Sequence, residues 1–201
     1  MRLRFLAALL ALPAARIGAQ GAACREPRYR WSVKTDTSLA ALKPLPVAIP
    51  VILSAWEPPP LTSRDRCAKR GGRELALYRV QGWVRRVEKI KDDGDWHIEL
   101  TDRFDSPRDS CIVAEIPPTR LSARYKQARA DLDALLGSKK AVKNFNLAHP
   151  VRVQVIGAAF YDGQHRRRRG GLEWLDGEHG RCNSSARALW EIHPVYRVER
   201  P

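Results

Sequence analysis

The chain has 201 residues, enough for one domain or one domain with an extension, and this length argues against a two-enzyme architecture. Hydrophobic residues at 44% and charged residues at 29% match an ordinary globular composition and exclude wholesale disorder. Thirty-six Lys and Arg against 22 Asp and Glu give a formal charge of +14, which favours a polyanionic partner such as nucleic acid or acidic glycan.

Arg2 and Arg4 precede an apolar stretch over residues 5–13, and small residues follow at 14–15 and 18–23. This is the layout of a signal peptide, so residues 1–23 are expected to be removed and the product exported, periplasmic or secreted. Gly21-Ala22-Ala23-Cys24 is also similar to a lipoprotein cleavage site, but Gly21 stands where Leu is usual. No later apolar run reaches the length of a membrane span. Removing 1–23 takes three arginines and no acid, which leaves +11, so the basic character belongs to the mature chain. Cys24, Cys67, Cys111 and Cys182 are expected to pair in an oxidising compartment, and four cysteines allow three pairings. None has the spacing of a thiolate zinc site.

Residues 24–72 read as a proline-rich extension packed on the domain, with the domain itself over 73–201. Within the extension, Arg30-Trp31-Ser32-Val33-Lys34-Thr35 alternates like a short strand. The prolines of residues 43–61 argue against both a helix and a central strand. Residues 78–90 read as a long strand, with Val80, Gly82 and Val84 on one parity and Val87 on the other, so a bulge is expected near Arg85–Arg86. Residues 95–101 alternate, with Trp96, Ile98 and Leu100 inward and Asp95, His97 and Glu99 outward. A third strand covers 111–116, with Ile112, Ala114 and Ile116 inward. Residues 122–136 have a helical stripe of Tyr125, Ala128, Leu132, Leu135 and Leu136, with Ser122 to cap its start and Gly137 its end. A fourth strand covers 151–161 and a fifth 190–198, separated by a long loop over 162–189 that contains Arg166, Arg167, Arg168 and Arg169. Trp96 and Trp190 share the parity of the inward residues and are expected in the core.

Three strands, a helix and two strands, the first strand long and bent, resemble the OB-fold: a mainly β, five-stranded Greek-key barrel with one helix between strands 3 and 4, here with an N-terminal extension. An open α+β sheet is the alternative. Several phrases also resemble a group of exported bacterial proteins of unassigned activity. They are Arg30-Trp31-Ser32-Val33-Lys34-Thr35, Tyr78-Arg79-Val80, Gly94-Asp95-Trp96-His97-Ile98-Glu99-Leu100 and Ala114-Glu115-Ile116-Pro117. Val151-Arg152-Val153, Phe160-Tyr161-Asp162, His165 and Glu191-Ile192-His193-Pro194-Val195 complete the set. The chain departs from that group after His165, where an arginine-rich insertion replaces a short Gly-Gln-Thr-Gly-like turn. The likeness implies the fold and export and supplies no catalytic residue.

The OB resemblance implies that strands 2, 3, 5 and 4 lie side by side, with strands 3 and 5 parallel. Pairing Leu100 with Ile112, Ile98 with Ala114 and Trp96 with Ile116 then sets His97 opposite Glu115, with Glu191 and His193 alongside. Asp95, His97, Glu115, His165, Glu191 and His193 are thus expected on one outer face, as ligands for a divalent metal such as zinc or manganese. The bland reading of the same residues is a set of cross-strand ion pairs that fix register. The same implied register brings Cys111 near Cys182, leaving Cys24 and Cys67 to pin the extension. His149 and His179 look like loop histidines with no role.

A second candidate site is electrostatic. Arg79, Arg85, Arg152, Arg166, Arg167, Arg168, Arg169 and Arg181 could hold phosphate or sulfate, with Trp83 and Trp174 to stack on bases or sugars. The bland alternative is a solvated loop in an arginine-rich chain. No Gly-x-Ser-x-Gly, Walker loop, His-Glu-x-x-His or dinucleotide fingerprint is present. The leading expectation is an exported OB-type binding module for single-stranded nucleic acid or acidic glycan. The alternatives are a metal-dependent, phosphodiesterase-like hydrolase that uses the His/Glu/Asp cluster, and a structural envelope protein.

Overall fold

The computed structural model describes residues 24–137, 146–182 and 185–201, so the segment read as a signal peptide lies outside the described residues. The chain is mainly β. In order its elements are α1 (Trp31–Lys34), β1 (Leu45–Pro46), α2 (Ile49–Ala55), β2 (Leu77–Lys89), β3 (Trp96–Thr101), β4 (Cys111–Ile116), α3 (Ala123–Leu136), β5 (Asn146–Tyr161), β6 (Arg166–Arg169), β7 (Leu172–Gly177) and β8 (Trp190–Glu199), with short 3-10 turns between them.

Six strands form one mixed sheet in the order β1-β2-β3-β4-β8-β5. Strand β2 pairs with β3 through its second half and also with β5, from Leu77 opposite Ala158 to Val84 opposite Val151. The pairings therefore run from β2 through β3, β4, β8 and β5 and return to β2. The long strand shifts register between Val84 and Arg86, the expected bulge, and Val87 then pairs with Ile98. The β3–β4 pairing has the expected register, His97 opposite Glu115 included, and β4 runs parallel to β8. One core contains Val80, Ile98, Leu100, Ile112, Val155, Trp190 and Ile192, with Trp96 at its edge, 8% exposed.

Between β4 and β5 lies α3, whose buried stripe is Tyr125, Ala128, Leu132 and Leu136. The Ser122 hydroxyl accepts the Arg124 amide at 3.2 Å, and Gly137 ends the helix at φ +51°. Tyr125 stacks on Tyr196 of β8, which fixes the helix to the sheet.

Three local expectations are corrected. Residues 31–34 form a helical turn rather than a strand: the amides of Val33 and Lys34 return to the Arg30 carbonyl. That turn puts Arg30 and Lys34 on one face, where each meets a buried carboxylate. Residues 49–55 form α2 despite the prolines, because Pro50 falls in the first turn, where no amide is needed. Ile49 and Ile52 then reach the core. The region read as a loop over 162–189 contains the β6–β7 hairpin, turned by Gly170 and Gly171, both at positive φ. Its strands have too little apolar alternation to be legible.

The extension is tied down at three places. Cys24 and Cys67 form a disulfide. Arg30, fully buried, makes two bonds to the Glu74 carboxylate at 2.7 and 2.6 Å and reaches the carbonyls of Ala68, Lys69 and Tyr161. Trp56 packs against Tyr78 and Trp190 with ring centroids 4.9 and 5.2 Å away. Among the described residues no helix is long and apolar enough to cross a membrane.

Candidate metal centre

Side chains of β3, β4 and β8 that point away from the apolar core converge around Glu115. The β3–β4 register brings His97 Nδ1 to 2.9 Å from Glu115 Oε1. Parallel pairing of β4 with β8 brings His193 Nδ1 to 3.1 Å from Glu115 Oε2 and 3.1 Å from Glu191 Oε2. On the far side of that ring, His193 Nε2 lies 3.4 Å from Asp95 Oδ2. Five of the six expected residues thus come together. The sixth, His165, stands at the rim: it is 3.9 Å from Asp162 and stacks on His179 with centroids 4.2 Å apart.

Two features differ from the sequence reading. The face is not an outer wall, because Asp95, His97, Glu115, Glu191 and His193 are each no more than 4% exposed. The segment that covers it contains His179, which has a place in the cluster after all. His179 Nδ1 lies 3.0 Å from Glu191 Oε1, and its Nε2 lies 3.8 Å from Glu115 Oε1. Sequence reasoning missed His179 because it sits among loop residues. The legible signal was its position three residues before Cys182, which is joined to Cys111 at the start of β4.

The covering segment approaches closely. Gly180 adopts φ +61°, and a Cβ there would lie 2.5 Å from His97 Nε2 and 2.6 Å from Glu99 Oε1. The next residue, Arg181, donates its amide to Glu99 at 3.0 Å and two guanidinium N–H groups to the same carboxylate. Arg86 adds a third cationic contact at 3.0 Å. Glu99 thus holds the cover down and is itself neutralised.

Charge and hydrogen bonding within the cluster are unequal. Burial disfavours charged rings, but hydrogen bonds to Glu115 and Glu99 lift His97 to about 9, and bonds to Glu115 and Glu191 lift His193 to about 10. Glu115 is held well below the usual carboxylate range, its burial outweighed by hydrogen bonds from His193 and His97. Asp95 is pushed up to about 6, chiefly by burial. Nε2 of His97 meets only Glu99, at 3.6 Å, and both oxygens of Asp95, Nε2 of His193, Nδ1 of His179 and Oε1 of Glu191 have no aligned hydrogen bond. The last pair lies close without the alignment of a hydrogen bond. Buried polar atoms are normally satisfied, so poorly satisfied atoms within this cluster are what a cation would complete.

Two ligand triads can be drawn, each with its donor atoms within 4.8 Å of one another: His97, Glu115 and His179, and Asp95, Glu115 and His193. Glu115 belongs to both, with one oxygen toward each side. Imidazole nitrogens and carboxylate oxygens are the donors that zinc and manganese accept. Glu191, bonded to His193 Nδ1, stands where an outer carboxylate orients a ligating imidazole. A cavity of about 200 Å³ touches His97, Glu115 and His179 and is also lined by Lys34, Arg86 and His165.

The arginines do not form one patch. Arg79 and Arg152 line a cleft of about 550 Å³ with Gln81 and Gln154, whereas Arg166 and Arg168 line another. Arg167 pairs with Asp176, Arg168 with Glu173 and Arg181 with Glu99. Arg85 donates to the Phe104 carbonyl, and Arg169 is exposed on the hairpin. Trp83 is half-buried against Phe104, while Trp174 is exposed beneath the Arg167 guanidinium. His149 is exposed on β5, away from the cluster residues in the pairing scheme.

No family model, curated protein or solved structure matches this chain.

Proposed function

We propose that the protein is an exported, metal-dependent hydrolase whose divalent cation binds at Glu115, with one ligand triad on each side of that carboxylate. The observation that carries this reading is the pair of fully buried His/carboxylate triads that share Glu115, each with its donor atoms within 4.8 Å of one another. A cation here would lower the pKa of a bound water and supply the nucleophile, and His97, His179, His193, Asp95 and Glu115 are the residues that would hold it. The strand pairings that return to β2 support an OB-type barrel as the scaffold. The two disulfides, with no free cysteine among the described residues, support an oxidising compartment.

Elemental analysis of protein purified from an exporting host tests this. Zinc or manganese is expected in the wild type, with loss of both metal and chromogenic ester hydrolysis in His97→Ala/His193→Ala. Metal-free wild type that cannot be loaded, with a lowered melting temperature as the sole effect of the double substitution, would retire the idea and favour a structural envelope role.

A second reading, a binding module for single-stranded nucleic acid or acidic glycan, is favoured by Arg79 and Arg152 lining one cleft with two glutamines. Such binding would weaken steeply with salt, and binding absent at low salt would contradict it.

A further inference from the structure

A second cleft, of about 740 Å³, lies between the extension and residues 162–168. Five basic side chains line it, Arg28, Lys34, Arg66, Arg166 and Arg168, against the carboxylates of Asp93 and Asp162. Asp162 is taken up by Lys34 at 2.8 Å, and Arg168 by Glu173. The other three guanidinium groups donate to backbone carbonyls: Arg28 to Asp92, Arg66 to Glu26 at 2.8 Å and Arg166 to Pro59 at 3.2 Å. A carbonyl satisfies a donor without cancelling its charge. Asp65, within the field of Arg166, is itself bonded by the amide and hydroxyl of Thr62.

Two buried polar groups on this wall are incomplete. Arg166, 8% exposed, has an Nε without a partner, and the hydroxyl of Tyr29, 3% exposed, meets only the Gly163 backbone. A site with surplus positive charge, guanidinium forks and an unused buried Arg166 donor matches a tetrahedral oxyanion. The cleft also joins the metal centre: Lys34, Asp93 and His165 line both it and the cavity that touches His97, Glu115 and His179.

We infer that this cleft is the substrate site and takes a phosphate ester, its anionic oxygens held by Arg28, Arg66 and Arg166 so that the ester bond faces His165 and the Glu115 centre. The inference rests on the hydrolytic reading of that centre. In the reaction, water adds to phosphorus, the bond from phosphorus to the ester oxygen breaks, and the departing alkoxide takes up the proton that the water gives up. Sulfate shares the tetrahedral shape, so it serves as the comparison anion.

The test uses inorganic phosphate and sulfate on metal-free protein at low salt, then bis(p-nitrophenyl) phosphate turnover on protein loaded with zinc or manganese. Arg28 and Arg66 are exposed, so Arg28→Ala/Arg66→Ala is expected to fold, and Arg166→Lys keeps the buried charge but removes the fork. Phosphate is expected to bind, each variant to weaken it by ~10-fold or more, and KM to rise while metal content is unchanged. Binding of sulfate but not phosphate, or wild-type phosphate affinity in both variants, would overturn it. Phosphate binding that is lost in the variants of a protein that takes no metal would support the anion site and sink the hydrolytic reading. A metal-loaded protein that cleaves a carboxylate ester yet ignores phosphate would sink the phosphate assignment alone.

Discussion

Glu115 and His193 meet at 3.1 Å although 78 residues separate them, because β4 and β8 run parallel with Ala114 beside Ile192. That contact joins the two ligand triads through one carboxylate. Replacement of Glu115 by Gln keeps the shape and removes the charge. Metal affinity is expected to fall by at least ~100-fold, more than the loss typical of an outer-shell change, with a native circular dichroism spectrum. Unchanged affinity would mean that the ion binds elsewhere.

Gly180 crosses directly over His97 and Glu99, in a left-handed conformation that favours glycine. Gly180→Ala is expected to destabilise the fold by about 1–3 kcal/mol and to lower metal occupancy, because His97 must move. Chemical denaturation and metal analysis read the two effects. Wild-type values in both would contradict the close approach.

Arg30 fills an interior position with a charge balanced by Glu74. Arg30→Ala should cost about 3–5 kcal/mol, since it strands a buried carboxylate left with only the Tyr161 and Gly71 amides. Arg30→Met combined with Glu74→Leu should cost much less, which separates an unpaired charge from lost packing. Equal losses in the single and double variants would contradict this.

The bond between Cys111 and Cys182 closes a 71-residue separation and anchors the segment that contains His179. Cys111→Ser/Cys182→Ser is expected to lose about 4 kcal/mol on the chain-entropy account, together with metal affinity. Denaturant midpoints and metal titration check both, and full affinity in the double variant would show that the cover needs no staple.

Melting of the metal-free protein should depend on pH with two limbs. His97 at about 9 and His193 at about 10, both raised from 6.5, contribute stability that is complete below about 6.5 and lost as pH rises through those values. Glu99, whose burial is outweighed by bonds from His97, Arg181 and Arg86, is lowered from 4.5 to about 2. Its contribution is present above about 4.5 and lost as pH falls through 2. Glu99→Gln should flatten the acid limb. A melting temperature that does not change between pH 7 and 10 would contradict the histidine assignment.

The sheet was readable because its strands alternate cleanly: Trp96, Ile98 and Leu100 against Ile112, Ala114 and Ile116 fix register, and register alone put His97 opposite Glu115. Both observed cysteine pairings match those that the OB resemblance implies. The covering segment was not readable. His179, Gly180 and Lys34 are placed by tertiary contacts, and no periodicity marks them. Polar alternation at Asp95, His97 and Glu99 predicts solvent exposure, yet all three are buried, with Gly180 lying against His97 and Glu99. The arginines showed their number but not their partners: Arg167, Arg168 and Arg181 are paired, while Arg28 and Arg66, unremarkable in sequence, line the basic cleft.

Calorimetric titration of metal-free wild type and Glu115→Gln with zinc and with manganese bears most directly on the centre. Saturable binding by the wild type is expected, with proton release as histidines give up their protons, and its loss in the variant. Absence of saturable binding in correctly folded, disulfide-intact wild type, or equal binding by both proteins, would contradict it.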